Sequence, residues 1–106
     1  MADITIGPGF ATRFYKLSVA TDPVGIASTH LISHSGKQIE RAVGIVLGGS
    51  VRMGVLGILS PSAATGLPFA VSDVIRLEGA DNVKSALFVQ NSGAATIDWL
   101  FFSDTK

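Results

Sequence analysis

Apolar and polar residues alternate with a period of two along most of this 106-residue chain, the pattern of half-buried β-strands. Residues 65–102 carry it most clearly. Leu67, Phe69 and Val71 alternate, Ser72-Asp73 interrupts, and Val74-Ile75-Arg76-Leu77-Glu78 follows. Gly79-Ala80-Asp81-Asn82 reads as a turn, residues 83–90 as a strand, and Asn91-Ser92-Gly93 as a second turn. In the last strand, residues 95–102, Ile97, Trp99 and Phe101 share one face and Asp98, Leu100 and Phe102 the other. The face with the only Trp is assigned to the core. The other is then an outward face suited to cover by another subunit. The alternative is a fully buried central strand in which Asp98 caps a turn or pairs with Arg52 or Arg76.

Upstream, residues 12–19 read as a strand with Leu17 and Val19 inward and Phe14 outward or under the preceding arm. Asp22-Pro23 and Gly25 mark a loop over 20–28, and residues 29–33 a short strand. Two apolar runs, 38–47 and 51–59, flank Gly48-Gly49 and read as a hairpin. In the first run Ile39, Val43, Ile45 and Leu47 share a parity, and Val43 and Ile45 are assigned to the core. Ala42 and Gly44 take the other parity, where small side chains let a neighbouring sheet or subunit approach. Residues 61–66 form a surface loop. The expected core is Leu17, Val19, Val43, Ile45, Leu87, Ile97, Trp99 and Phe101.

Short strands punctuated by glycine, with little or no helix, predict an all-β fold: a single antiparallel β-sandwich, jelly-roll-like. Residues 1–11 form a Gly/Pro-containing N-terminal arm and residues 12–106 one domain.

Composition sharpens this picture at one point. Charged residues make up 15% of the chain, against about 25% in ordinary globular domains. So small a domain has little polar surface to spare, which implies contact with further subunits. Eight basic and eight acidic side chains give no net pull toward nucleic acid or anionic membranes. Cysteine is absent, which removes disulfides and thiolate chemistry. The start, Met1-Ala2-Asp3-Ile4, lacks the basic and apolar regions of a signal peptide. The apolar run 42–47 is too short for a membrane span.

Catalytic and metal patterns are thin. His30 and His34 have helical metal-ligand spacing, but the intervening Leu-Ile-Ser suits a strand, which would hold them about 13 Å apart. Gly36-Lys37 is followed by Gln38, which breaks a phosphate-binding loop. Serines, aspartates and histidines are present without a nucleophile elbow. Arg13, Arg41, Arg52 and Arg76 are scattered and do not form a basic patch. Tyr15 and Trp99 are the slender basis for a sugar platform. The expectation is a non-enzyme without metal or cofactor.

From Lys37 onward the chain resembles small structural proteins of tailed-bacteriophage virions. The resemblance lies in Gly36-Lys37-Gln38-Ile39-Glu40-Arg41-Ala42-Val43, in Ser50-Val51-Arg52, and in Pro61-Ser62-Ala63-Ala64-Thr65-Gly66-Leu67-Pro68-Phe69. It continues through Asp73-Val74-Ile75-Arg76-Leu77, Asn82-Val83-Lys84-Ser85-Ala86-Leu87-Phe88-Val89 and the closing strand 95–102. Gly57 departs from the pattern, since relatives often carry Asp before the loop, and the hairpin at 43–59 is more hydrophobic. The resemblance implies a β-sandwich virion component made in the bacterial cytoplasm, foremost a capsid decoration protein. It would bind the major capsid protein or other virion subunits and itself, a trimer being favoured. A head–tail connector, tail or fibre component is the alternative, and a carbohydrate- or receptor-binding module a further one. The expected assembly surface comprises Phe14, Arg52, Arg76, Asp98, Leu100 and Phe102.

Overall fold

The computed structural model describes residues 10–26, 38–62 and 64–103. Eight strands and one short helix follow in order: β1 (Phe10–Val19), β2 (Val24–Gly25), β3 (Arg41–Leu47), β4 (Ser50–Val55), β5 (Leu67–Phe69), β6 (Val74–Glu78), α1 (Ala80–Ser85), β7 (Ala86–Ser92) and β8 (Ala95–Ser103). They form two four-stranded antiparallel sheets, ordered β1-β8-β3-β6 and β2-β7-β4-β5. Every strand pairs with the one equally far from the opposite end of the series: β1 with β8, β2 with β7, β3 with β6 and β4 with β5. That is a hairpin rolled into a barrel-like sandwich, the jelly roll. The all-β sandwich expected from the alternation is therefore the fold.

The rolled topology corrects the local reading at Gly48-Gly49. β3 and β4 are not a hairpin: they belong to different sheets, and the two glycines form a corner between them. Gly48 has φ +81°, and a Cβ there would lie 2.7 Å from the Ala94 carbonyl oxygen. Gly93 of the β7–β8 corner in turn lies against Gly48 and Gly49. Two inter-sheet corners nest side by side, and at Gly48 only bare backbone fits against the Ala94 carbonyl.

Further boundaries differ from the sequence reading: β1 begins at Phe10, inside the expected arm, and β2 lies within the expected 20–28 loop. Residues 80–85 are helical and β7 starts at Ala86, so the expected strand start at Val83 is instead the buried residue of α1. Glu78 and Gly79 hold this turn: Asn82 Nδ2 donates to the Glu78 carbonyl and the Gly79 amide donates to the Glu40 carbonyl. β4 ends at Val55 rather than Leu59, because Leu56, Gly57 and Ile58 turn the chain back so that Val55 and Leu59 bridge.

The core lies between the sheets. Leu17, Val19, Ile97, Trp99 and Phe101 all belong to its buried cluster. Trp99 is fully buried, with the Phe88 ring 5.6 Å away from the facing sheet and Phe101 stacked at 6.3 Å. Opposite Trp99 in the β3–β8 register stands Gly44. The inward parity of β3 is thus Ala42, Gly44 and Val46, with Ala42 and Val46 in the core cluster. This inverts the expected parity. Val43 is buried but lies outside the cluster, and Ile45 is half-buried on the outer face. The cause is volume: a side chain as large as indole needs a small residue beside it, so the bulkier aliphatics of β3 turn outward. Leu87 is likewise only half-buried, because Ala86 and Phe88 supply the inward parity of β7.

Candidate functional site

Cross-strand partners share a face of a sheet, so the register of β1, β8, β3 and β6 fixes the outer surface of that sheet. It has three rows. Lys16, Asp98, Ile45 and Val74 form one, and Phe14, Leu100, Val43 and Arg76 the next. The third is Phe102, Arg41 and Glu78. Apolar side chains dominate this face, with Lys16, Arg76 and Glu78 on the edge strands and Asp98 and Arg41 on the central ones. A hollow of about 320 Å³ opens there, walled by Phe14, Val43, Ile45, Asp98 and Leu100. Phe14 stands at its edge with 61% of its surface exposed.

The polar groups in this hollow are sparse. Asp98 Oδ1 is buried and accepts no hydrogen bond. Lys16 is its cross-strand neighbour on β1, yet no salt bridge joins the two; the ion pair of Lys84 with Asp81, 3.6 Å apart, lies on α1. The suggested pairing of Asp98 with Arg52 or Arg76 does not form. Arg52 lies on the other sheet, where its Nε donates to Asn91 Oδ1 at 3.3 Å and its Nη1 to the Gly66 carbonyl at 3.1 Å.

The expected assembly surface is therefore divided. Phe14, Asp98 and Leu100 come together, and Arg76 joins them at the β6 margin. Arg52 faces away on the second sheet, pinning the 61–66 loop. Phe102 is on the right face but is only 2% exposed, and the guanidinium of Arg41, itself buried, lies over its ring at 4.0 Å. This cation–π pair seals the third row. Sequence alternation alone could not reveal it, since it depends on the cross-strand register of Arg41 with Phe102.

Among the described residues, Val71 is also exposed, in the turn between β5 and β6, and three others lie on the second sheet's side. Leu56 and Ile58 project from the turn after β4, Ile58 being 85% exposed, and Leu67 lies on the edge strand β5. A smaller hollow of about 140 Å³ lies by Met53, Val55, Leu77 and Ala86, with Arg76 and Glu78 on its rim. It brings together no nucleophile and base.

Trp99 cannot form a sugar platform with Tyr15, because none of its indole reaches the surface. Among the described residues no cluster of three or more metal-ligating side chains forms, and no helix is long and apolar enough to cross a membrane. His30, His34, Gly36-Lys37, the short strand expected at 29–33 and nearly all of the N-terminal arm lie outside the described residues.

No protein-family model, curated protein or solved structure matches this chain.

Proposed function

We propose that this chain is a non-enzymatic structural subunit of a bacteriophage virion that decorates and stabilises the assembled head lattice. The observation that carries the reading is the outer face of the β1-β8-β3-β6 sheet, where Phe14, Leu100, Ile45 and Val74 make an apolar surface interrupted by Asp98 and edged by Lys16, Arg76 and Glu78. A domain this poor in charge gains from covering such a face. The motifs shared with small virion proteins favour the same reading.

The mechanism is linkage. A subunit that binds the assembled lattice, and not its dissociated parts, stabilises the lattice by RT ln(1 + L/Kd) at each site, where L is the free subunit concentration. The rigid rolled sandwich suits this task, because little ordering entropy is lost on docking. The major capsid protein is the proposed partner, and no cofactor or nucleic acid takes part.

The test is co-sedimentation of the purified protein with expanded capsids and with isolated capsid subunits. Binding to capsids alone, at a stoichiometry near that of the capsid subunit, supports decoration. Binding to free subunits, or a copy number far below that of the capsid subunit, overturns it and points to a connector.

A further inference from the structure

We propose that two copies of this chain associate face to face through the β1–β8 strip of this sheet, about a twofold axis that runs along the strands between β1 and β8. The proposal rests on the register; it gives Phe14 and Leu100 to the second copy and leaves the Ile45, Val74 and Arg76 side of the face to the proposed lattice contact. Such an axis exchanges β1 with β8. Each residue of β1 then lies over the residue of the second copy that it pairs with inside its own sheet. Lys16 pairs with Asp98 and Phe14 with Leu100, so the interface would set Lys16 of each copy against Asp98 of the other, and Phe14 against Leu100.

Three observations favour a second copy as the occupant. The first is charge complementarity. Lys16 and Asp98 are adjacent and opposite in sign, yet form no salt bridge within the chain. The twofold operation turns this one pair into two reciprocal pairs, which is the self-complementarity that an isologous interface requires. The second is the buried Asp98 Oδ1, which lacks a hydrogen-bond donor. That oxygen is closed to solvent and so to a second copy, which leaves the other carboxylate oxygen to meet an ammonium group in a charge-assisted contact. The third is Phe14, a large side chain 61% exposed beside an apolar hollow, the arrangement of an aromatic anchor awaiting a partner.

The test is a charge exchange between chains. Lys16→Asp and Asp98→Lys are made separately and checked for native fold by circular dichroism. In either homodimer the facing groups would carry like charge. In a heterodimer of the two variants, the two substituted side chains would face each other with opposite charge. At the reciprocal position, Asp98 of the first variant would face Lys16 of the second, as in the parent dimer.

Native mass spectrometry reads the outcome. The expected result is a dimer for the parent chain, loss of dimer in each single variant, and recovery of a heterodimer when the folded variants are mixed. A parent chain that is monomeric, or dimers that survive both substitutions, would overturn the proposal. So would folded variants that fail to pair when mixed. A variant that does not fold is replaced by its milder counterpart, Lys16→Glu or Asp98→Asn. The milder change is then expected to weaken the dimer at least tenfold, and unchanged dimer affinity refutes the inference. Loss of capsid binding with an intact dimer bears on the decoration reading alone.

Discussion

Gly44 on β3 lies directly against the Trp99 ring on β8: a methyl group at position 44 would sit 2.6 Å from Cε3 and 2.8 Å from Cζ3. Ile97 Cγ2 would be equally near, at 2.8 Å. Both neighbours are fully buried in a packed core, so neither can swing into solvent. Gly44→Ala is expected to destabilise the fold by about 1–3 kcal/mol, the usual cost of overpacking. Urea unfolding followed by Trp99 fluorescence measures it. An unchanged midpoint would mean that the core has room which its packing denies.

This pair also explains what the sequence could and could not reveal. Alternation in β1 and β8 places Leu17, Val19, Ile97, Trp99 and Phe101 inward, because in each strand only one face is consistently apolar. β3 is apolar on both faces, so its parity is decided by the strand beside it. Reading Val43 and Ile45 as core follows from size alone, whereas Gly44 and Ala42 face inward because Trp99 fills the space. The same limit applies to Gly48-Gly49. A two-residue glycine turn signals a reversal, but whether the chain returns within one sheet or crosses to the other depends on contact with the distant Gly93 corner.

Trp99 joins the two sheets through Phe88 and continues the stack to Phe101. Trp99→Ala would leave a large cavity at the centre of the sandwich and is expected to cost about 3–5 kcal/mol. Trp99→Phe keeps part of the ring volume and should cost less. Equilibrium denaturation of both variants, followed by far-ultraviolet circular dichroism, checks the order. A near-neutral Trp99→Ala would contradict its place in the core.

Leu100 and Phe102 have the same parity on β8 but should respond oppositely to charge. Phe102 is sealed beneath Arg41, so Phe102→Asp buries a carboxylate and is expected to unfold or strongly destabilise the chain. Leu100 is half-buried at the hollow, so Leu100→Asp should leave secondary structure intact and reduce self-association. Circular dichroism and light scattering together distinguish the two effects. A folded Phe102→Asp protein, or unchanged mass for Leu100→Asp, would count against this division of the face.

Gly54 and Gly57 separate steric from conformational constraint in one short segment. A Cβ on Gly54 would collide with the Leu59 carbonyl oxygen and come within 2.6 Å of Pro61 Cδ, so Gly54→Ala must displace the chain that folds over β4. Gly57 has open space around it but a φ of +79°, and a side chain there costs only the left-handed penalty, about 1–2 kcal/mol. Gly54→Ala is expected to be the more damaging substitution. Thermal melts of the two variants measure the difference, and the reverse order would place the strain at the turn rather than at the overlay.

Asp98 offers the sharpest separation of folding from association. Its Oδ1 is buried without a donor, which in an isolated chain is a cost of about 1–3 kcal/mol. Valine is shorter and branches at Cβ rather than Cγ, but it suits a strand and carries no polar atom. Asp98→Val is therefore expected to raise the stability of the monomer, read as a higher urea midpoint at high dilution. The same change removes the acceptor proposed to meet Lys16 of a second copy, so self-association should weaken as the fold strengthens. Urea unfolding at low protein concentration, paired with sedimentation at high concentration, measures the two effects in one variant. A monomer made less stable by Asp98→Val would mean that the carboxylate is satisfied within its own chain.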